Sequence, residues 1–278
     1  MIGSGERAYA YAKACGIIGK SYVGRRMKAL GQVTRLAELD RLVFPINSRN
    51  LPERELLPDL EKRFAGRFQD AADGIVACFR DPPEFLVLLS RPGDTEQPDQ
   101  RYYSVLWTAM MKLPKKDRWM SEKILSEEIA LRNTVWAMRL RSYYRMDSEE
   151  IKQRLVYPEG EPGRGRRATD WLADALLCLE LPLDNMEAWR SWRWASFLNP
   201  GQSGEAWTVD PRYFQNAASE YLYNLSKRNF HRDPFSLDTV FCFIKIKQFE
   251  EDILTSLSEG IGLGMSSKDV FALLEVAP

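Results

Sequence analysis

The sequence predicts an all-α protein, and three observations predict it. Apolar residues recur at helical spacing over long stretches, and alternating strand patterns are nearly absent. A phrase made of a long helix, a tight turn, an N-cap and a short helix is written twice. The first copy runs over residues 119–144, continues through Met146-Asp147-Ser148-Glu149-Glu150-Ile151 and closes on Leu155. The second runs over 235–257, continues through Met265-Ser266-Ser267-Lys268-Asp269-Val270 and closes on Leu274. Asp147 and Ser266 are placed to cap the short helices, satisfying an amide that has no partner inside the helix. Met146 with Ile151, and Met265 with Val270, have hydrophobic-staple spacing. A weaker third copy near the start has Thr34 as cap and Leu42 eight residues on, but Glu38 stands at the staple position. The caps lie 113 and 119 residues apart, a period suited to large helical units rather than a solenoid of short repeats.

Taken in order, residues 9–30 read as a long first helix interrupted by glycines, and 35–43 as the short helix behind Thr34. Residues 53–80 form an amphipathic helix with Leu56, Leu60, Phe64, Phe68, Ala72, Val76 and Phe79 along one face, stopped by Pro82 and Pro83. Residues 84–90 continue it briefly, and 92–98 form a polar loop. Further helices are expected at 102–113, 119–144, 148–156, 169–181, 184–197, 211–229, 235–257 and 267–274. The Pro-, Gly- and Arg-rich run 158–168 reads as a linker, and 199–208 as a second break.

Composition narrows the function. The chain has 278 residues, 45% hydrophobic, and its 39 basic and 39 acidic side chains cancel. Such a chain exerts no general attraction on nucleic acid or acidic membranes. No apolar run reaches the ~20 residues needed to span a bilayer, and the N-terminus lacks a signal-peptide core. A cytoplasmic location is the expectation, with membrane association only through a partner. The cysteines Cys15, Cys78, Cys178 and Cys242 are dispersed and form no CxxC pair, which reads as reduced thiols among apolar neighbours.

Chemistry is hard to find. One histidine, His231, stands beside Pro234 and reads as a turn residue; alone it cannot build an imidazole metal site. No phosphate-cradling GxxxxGK[ST] run occurs. Gly260 to Gly264 falls where a helix should terminate, the place of C-cap glycines. Adjacent acids such as Glu127-Glu128 and Glu250-Glu251 point ~100° apart on a helix and make no dyad. Glu128 with Arg132, and Lys247 with Glu251, have surface ion-pair spacing. No catalytic residue, cofactor or metal is assigned. The segment Trp189-Arg190-Ser191-Trp192-Arg193-Trp194, read as helical, carries tryptophan on two faces and suits a helix wedged between neighbours or a protein hot spot better than base stacking.

The pattern Glu128, Arg132-Asn133, Leu140-Arg141, Met146 to Ile151, Leu155 and Pro158-Glu159-Gly160 resembles the helix–turn–helix repeat of the C-type subunit of V-type ATPases, the d-type subunit of eukaryotes. The closing run from Ile244 to Glu251, with its Lys-x-x-Glu-like helix, then Gly262, Met265-Ser266, Val270 and Leu274, is similar to that family's end. Tyr9 to Ala14 is like its first helix. Residues 94–120 and the tryptophan-rich 171–212 match no pattern of the family. The resemblance implies a funnel-like all-α domain over 1–278, built of three similar units with pseudo-threefold symmetry. It implies a non-catalytic rotor connector, peripheral to the membrane, between the central shaft and the proteolipid ring. The alternative is a soluble helical adaptor or regulator with an unrelated partner. Partner-contact candidates are Arg139 and Arg141 on the long helix, the loop cluster Arg164, Arg166 and Arg167, and Trp189 and Trp192.

Overall fold

A computed structural model describes residues 3–91, 99–158, 168–201 and 206–274. Every regular element among them is helical, as the periodicity predicts. The chain divides into two compact units, one formed by Met1–Arg91 with Ser226–Pro278 and the other by Pro92–Leu225.

The first unit contains α1 (Ser4–Ile18), α2 (Met27–Leu30), α3 (Leu36–Val43), α4 (Glu53–Val76), α5 (Glu84–Ser90), α11 (Leu237–Gly262) and α12 (Ser267–Leu273). The single helix expected over 9–30 is two. It breaks after Ile18, and Gly24 takes a left-handed φ of 77° that an α-helix cannot contain. Helix α11 is buried nearly all round, through Val240, Phe241, Phe243, Ile244, Phe249, Ile253 and Leu257, the pattern of a central core helix. It touches α1, α3, α4, α5 and α12. Against it α4 lays Leu56, Leu60, Phe64, Phe68 and Ala72, and Phe85 of α5 stacks on Phe241 at 5.7 Å.

Thr34 does not cap α3. The N-cap is Arg35, whose side chain makes no cap bond. Thr34 instead donates both its amide and its hydroxyl to Glu38 Oε2, each at 2.9 Å. Those donors and Arg35 pull the Glu38 carboxyl down to about 2. Glu38 thus ties the start of α3 back to Thr34, and the helix starts without a side-chain cap.

The second unit contains α6 (Asp99–Met111), α7 (Lys115–Tyr144), α8 (Ser148–Lys152) and α9 (Ala173–Glu180). Helix α10 (Pro211–Phe230) begins here and carries the chain into the first unit. Helix α9 packs along α7. One apolar cluster gathers Leu131, Met138, Cys178, Trp189, Trp192, Trp194 and Phe214. Another gathers Ala137, Leu140, Ile151, Leu155 and Ala175, with Met146 packed on it.

No α-helix forms at 184–197. Two 3-10 turns, Met186–Trp189 and Ala195–Phe197, replace it. The linker run 159–167 lies outside the described residues.

Both capped phrases take the same local form. Arg145 (φ 51°) and Gly264 (φ 84°) turn the backbone into the left-handed region, a methionine follows, and then the cap. Asp147 accepts the amides of Glu149 and Glu150 at 2.8 and 3.0 Å. Ser266 Oγ accepts that of Asp269 at 3.2 Å. The staple partners Ile151 and Val270 are buried.

Candidate functional site

Helix α7 is the spine of the second unit, and its polar residues divide by the direction they face. Asn133, at the bottom of the packed face, is buried. Its Nδ2 donates to the carbonyls of Val156 and Trp171, and its Oδ1 accepts the Val156 amide at 2.7 Å. One amide side chain thus fixes the chain beyond α8 and the turn before α9. Arg141 Nη1 donates to the carbonyls of Cys178 and Leu181. These lie at the end of α9, where carbonyls lack intrahelical partners and a cation meets the negative end of the helix dipole. Arg118 does the same for α6, donating to the carbonyls of Met111 and Leu113.

The tryptophan-rich segment is organised by a residue that sequence reasoning missed. Asp174, a mostly buried acid on α9, accepts Trp192 Nε1 at 3.0 Å, Trp194 Nε1 at 3.1 Å and Arg193 Nε at 2.9 Å. In an α-helix, residues 192 and 194 would point ~200° apart and could not share one carboxylate. The bent, 3-10 backbone brings both indoles to it. Trp189 Nε1 donates to the Pro182 carbonyl at 2.7 Å, and Trp192 stacks on Phe214 at 5.2 Å.

The structure therefore separates the predicted contact residues. Trp189 and Trp192 are 1% and 6% exposed: they fill the core of their own unit and present no surface. Arg141 is spent on the end of α9. Arg164, Arg166 and Arg167 lie outside the described residues. Arg139 alone remains on an open face. It sits in one stripe of α7 with Trp136, 39% exposed, and Tyr143, 54% exposed, at the i, i+3, i+7 spacing that aligns side chains on a helix. Arg139 Nε is shielded from water and has no hydrogen-bond acceptor among the described residues. The Tyr143 hydroxyl donates to Asp210 at 3.3 Å, and Asp210 is gripped by Arg212 at 2.7 Å, which holds its carboxyl below the usual range. Beside this pair lies a cleft lined by Asn199, Trp207, Asp210, Arg212 and Tyr213.

In the first unit, the Lys-x-x-Glu pattern of α11 is a buried ion cluster. Lys247 pairs with Glu250, not with Glu251 on a solvated face. Glu250 Oε1 accepts the Tyr22 amide at 2.6 Å and Oε2 accepts Ser21 Oγ at 2.8 Å, with Arg67 at 3.3 Å. Burial alone would raise this carboxyl; Lys247, Arg67 and the Tyr22 amide hold it below the usual carboxylate range. The break after α1 is what lets Ser21 and Tyr22 reach it. His231 sits in the turn after α10, where its Nδ1 lies 2.8 Å from the Tyr11 hydroxyl. The four cysteines are free thiols, two buried and two half-buried.

Among the described residues no group of acidic, histidine or cysteine side chains could hold a metal ion. No helix among them is long and apolar enough to cross a membrane. Buried and half-buried polar residues of α7, α9 and α11, among them Asn133, Arg141, Asp174 and Glu250, instead bind other parts of the chain, which defines a class: a helical scaffold held by internal polar clamps.

The family follows from comparison. The family model described as ATP synthase (C/AC39) subunit matches residues 97–270, more than half of the chain. The chain belongs to this C/AC39 family of V-type ATPases, whose members are non-catalytic subunits of the enzyme. An uncharacterised protein of Treponema pallidum (strain Nichols) is 32% identical over 167 residues, covering 60% of this chain and 48% of that protein. The chain thus matches about half the length of this curated relative.

Proposed function

We propose that the chain is a non-catalytic central-rotor connector of a V-type ATPase, coupling the central shaft to the membrane proteolipid ring for ATP-driven ion transport or ATP synthesis. The observation that carries this reading is the family match over residues 97–270. The internal clamps support it, because a torque-bearing part must resist deformation, and buried hydrogen-bonded clamps oppose local opening. On this reading the chain sits on the cytoplasmic side, peripheral to the membrane through its complex. The whole of 1–278 acts as one three-unit, funnel-like connector.

The test is removal. A tagged chain in its native cell should co-purify with rotary ATPase subunits. Cells lacking it should retain ATP hydrolysis by the soluble head while losing ATP-driven ion transport. Normal ion transport without the chain would overturn the reading.

A further inference from the structure

We infer that the open stripe Trp136–Arg139–Tyr143 on α7 is a docking face for a partner helix bearing carboxylates. The inference rests on the connector reading and names the partner chemistry for one face of it. Three observations meet here. Trp, Arg and Tyr are the residue types that dominate protein hot spots, and here all three lie on one helical face. The i, i+3, i+7 spacing presents a ridge that another helix can pack against. The Arg139 guanidinium is half-buried, with its Nε shielded and lacking an acceptor among the described residues. Asp210, which meets the stripe through the Tyr143 hydroxyl, already binds Arg212. Among the described residues only Nε of this guanidinium is closed to water, so a carboxylate from outside, approaching over Trp136 and Tyr143, meets its outer nitrogens in a charge-assisted pair. The cleft beside Tyr143, lined by Trp207 and Arg212, offers room for one further side chain of that helix.

The stripe differs from its neighbours on the same helix in a way that makes the test clean. Asn133 and Arg141 face inward and clamp distant backbone to α7. Arg139 and Trp136 make no such bond to distant backbone among the described residues, so changing them removes no clamp.

The experiment uses the tagged full chain in its native cell. Arg139→Glu and Trp136→Ala are compared with Arg101→Glu, which reverses a charge at an exposed position on α6. Each stripe variant should lower the yield of co-purified rotor subunits by roughly tenfold, the scale of one hot-spot side chain, with an unchanged melting temperature; Arg101→Glu should match the parent. Trp136→p-benzoylphenylalanine should photo-crosslink to a helical segment of a rotor subunit at an acidic stretch. Undiminished co-purification by both stripe variants, or a crosslink to a second copy of this chain or to lipid, overturns the inference. Failure of the parent chain to co-purify with any rotary ATPase subunit instead overturns the connector reading.

Discussion

Val270 of α12 occupies the space that a side chain on residue 260 of α11 would need: a Cβ built on Gly260 stands 2.3 Å from Val270 Cγ2. The glycine is there for close approach of two helices, not for a turn. Gly260→Ala is expected to destabilise the protein by about 1–3 kcal/mol through overpacking. Adding Val270→Ala should return part of that loss, so the pair couples favourably in a double-mutant cycle read by urea denaturation. Independent, additive losses would show that the two positions do not meet.

Two arginines two residues apart should behave in opposite ways. Arg141→Met strips the α9 carbonyls of a charged donor and is expected to cost about 1.5–3 kcal/mol. Arg139→Met should change stability by less than about 0.5 kcal/mol, as surface replacements do. Chemical denaturation of both variants checks this, and equal losses would refute the division of α7 into an inward and an outward face.

Asn133→Ala leaves the buried Val156 amide and two carbonyls without their partner. Each buried group so orphaned costs about 1–3 kcal/mol. The variant should be among the least stable single replacements on α7. Hydrogen exchange should show the Val156 amide losing protection before the amides of α7 itself.

Asp147→Ala and Ser266→Ala should each cost about 1 kcal/mol, the usual value of an N-cap. Thr34→Ala should cost less than about 0.5 kcal/mol, because Thr34 does not cap α3 and its amide keeps Glu38 in place. Melting temperatures of the three variants, measured together, distinguish caps from a non-cap.

Glu250 and Glu251 are neighbours with opposite pH responses. Burial, then Asp252, raises the Glu251 carboxyl from 4.5 to about 6. A raised carboxylate favours the protonated folded form, so its contribution is full below pH 4.5 and is lost as pH rises through about 6. Glu250 is lowered, so its contribution is present above the ordinary carboxylate range and is lost on acidification. Glu251→Gln should flatten the fall in melting temperature over that rise in pH. Glu250→Gln should destabilise by about 3–5 kcal/mol near neutrality, because Lys247 and Arg67 lose their buried counter-charge. A Glu251→Gln variant whose melting curve keeps the parent's pH slope would remove this assignment.

Long-range polar contacts set the limit on what could be read from the sequence. Asp147 and Ser266 were legible as caps because a cap and its amide lie within three residues. Asp174 was not, because its partners Trp192, Arg193 and Trp194 lie 18 to 20 residues away and nothing local marks it as a hub. The helix expected at 184–197 failed for the same reason: a distant carboxylate overrode local periodicity. Lys247 has both Glu250 (i+3) and Glu251 (i+4) at ion-pair spacing, and the buried choice of Glu250 goes with its bonds to Ser21 and Tyr22, far away in the chain. Arg139 and Arg141 look alike in sequence, and only the end of α9 tells them apart.

The order of the two units along the chain has a consequence for synthesis. Residues 1–91 emerge from the ribosome without α11, the helix that α1, α3, α4 and α5 all touch. Their apolar faces must wait while the whole of Pro92–Leu225 is made. The interposed unit is continuous in sequence and is made in full before α11 emerges, so it is expected to complete first. The waiting segment, with the apolar stripe of α4 uncovered, is the part of the nascent chain that most needs a chaperone. Release of a nascent chain truncated before Leu237 should yield a folded second unit trailing an unfolded N-terminal arm.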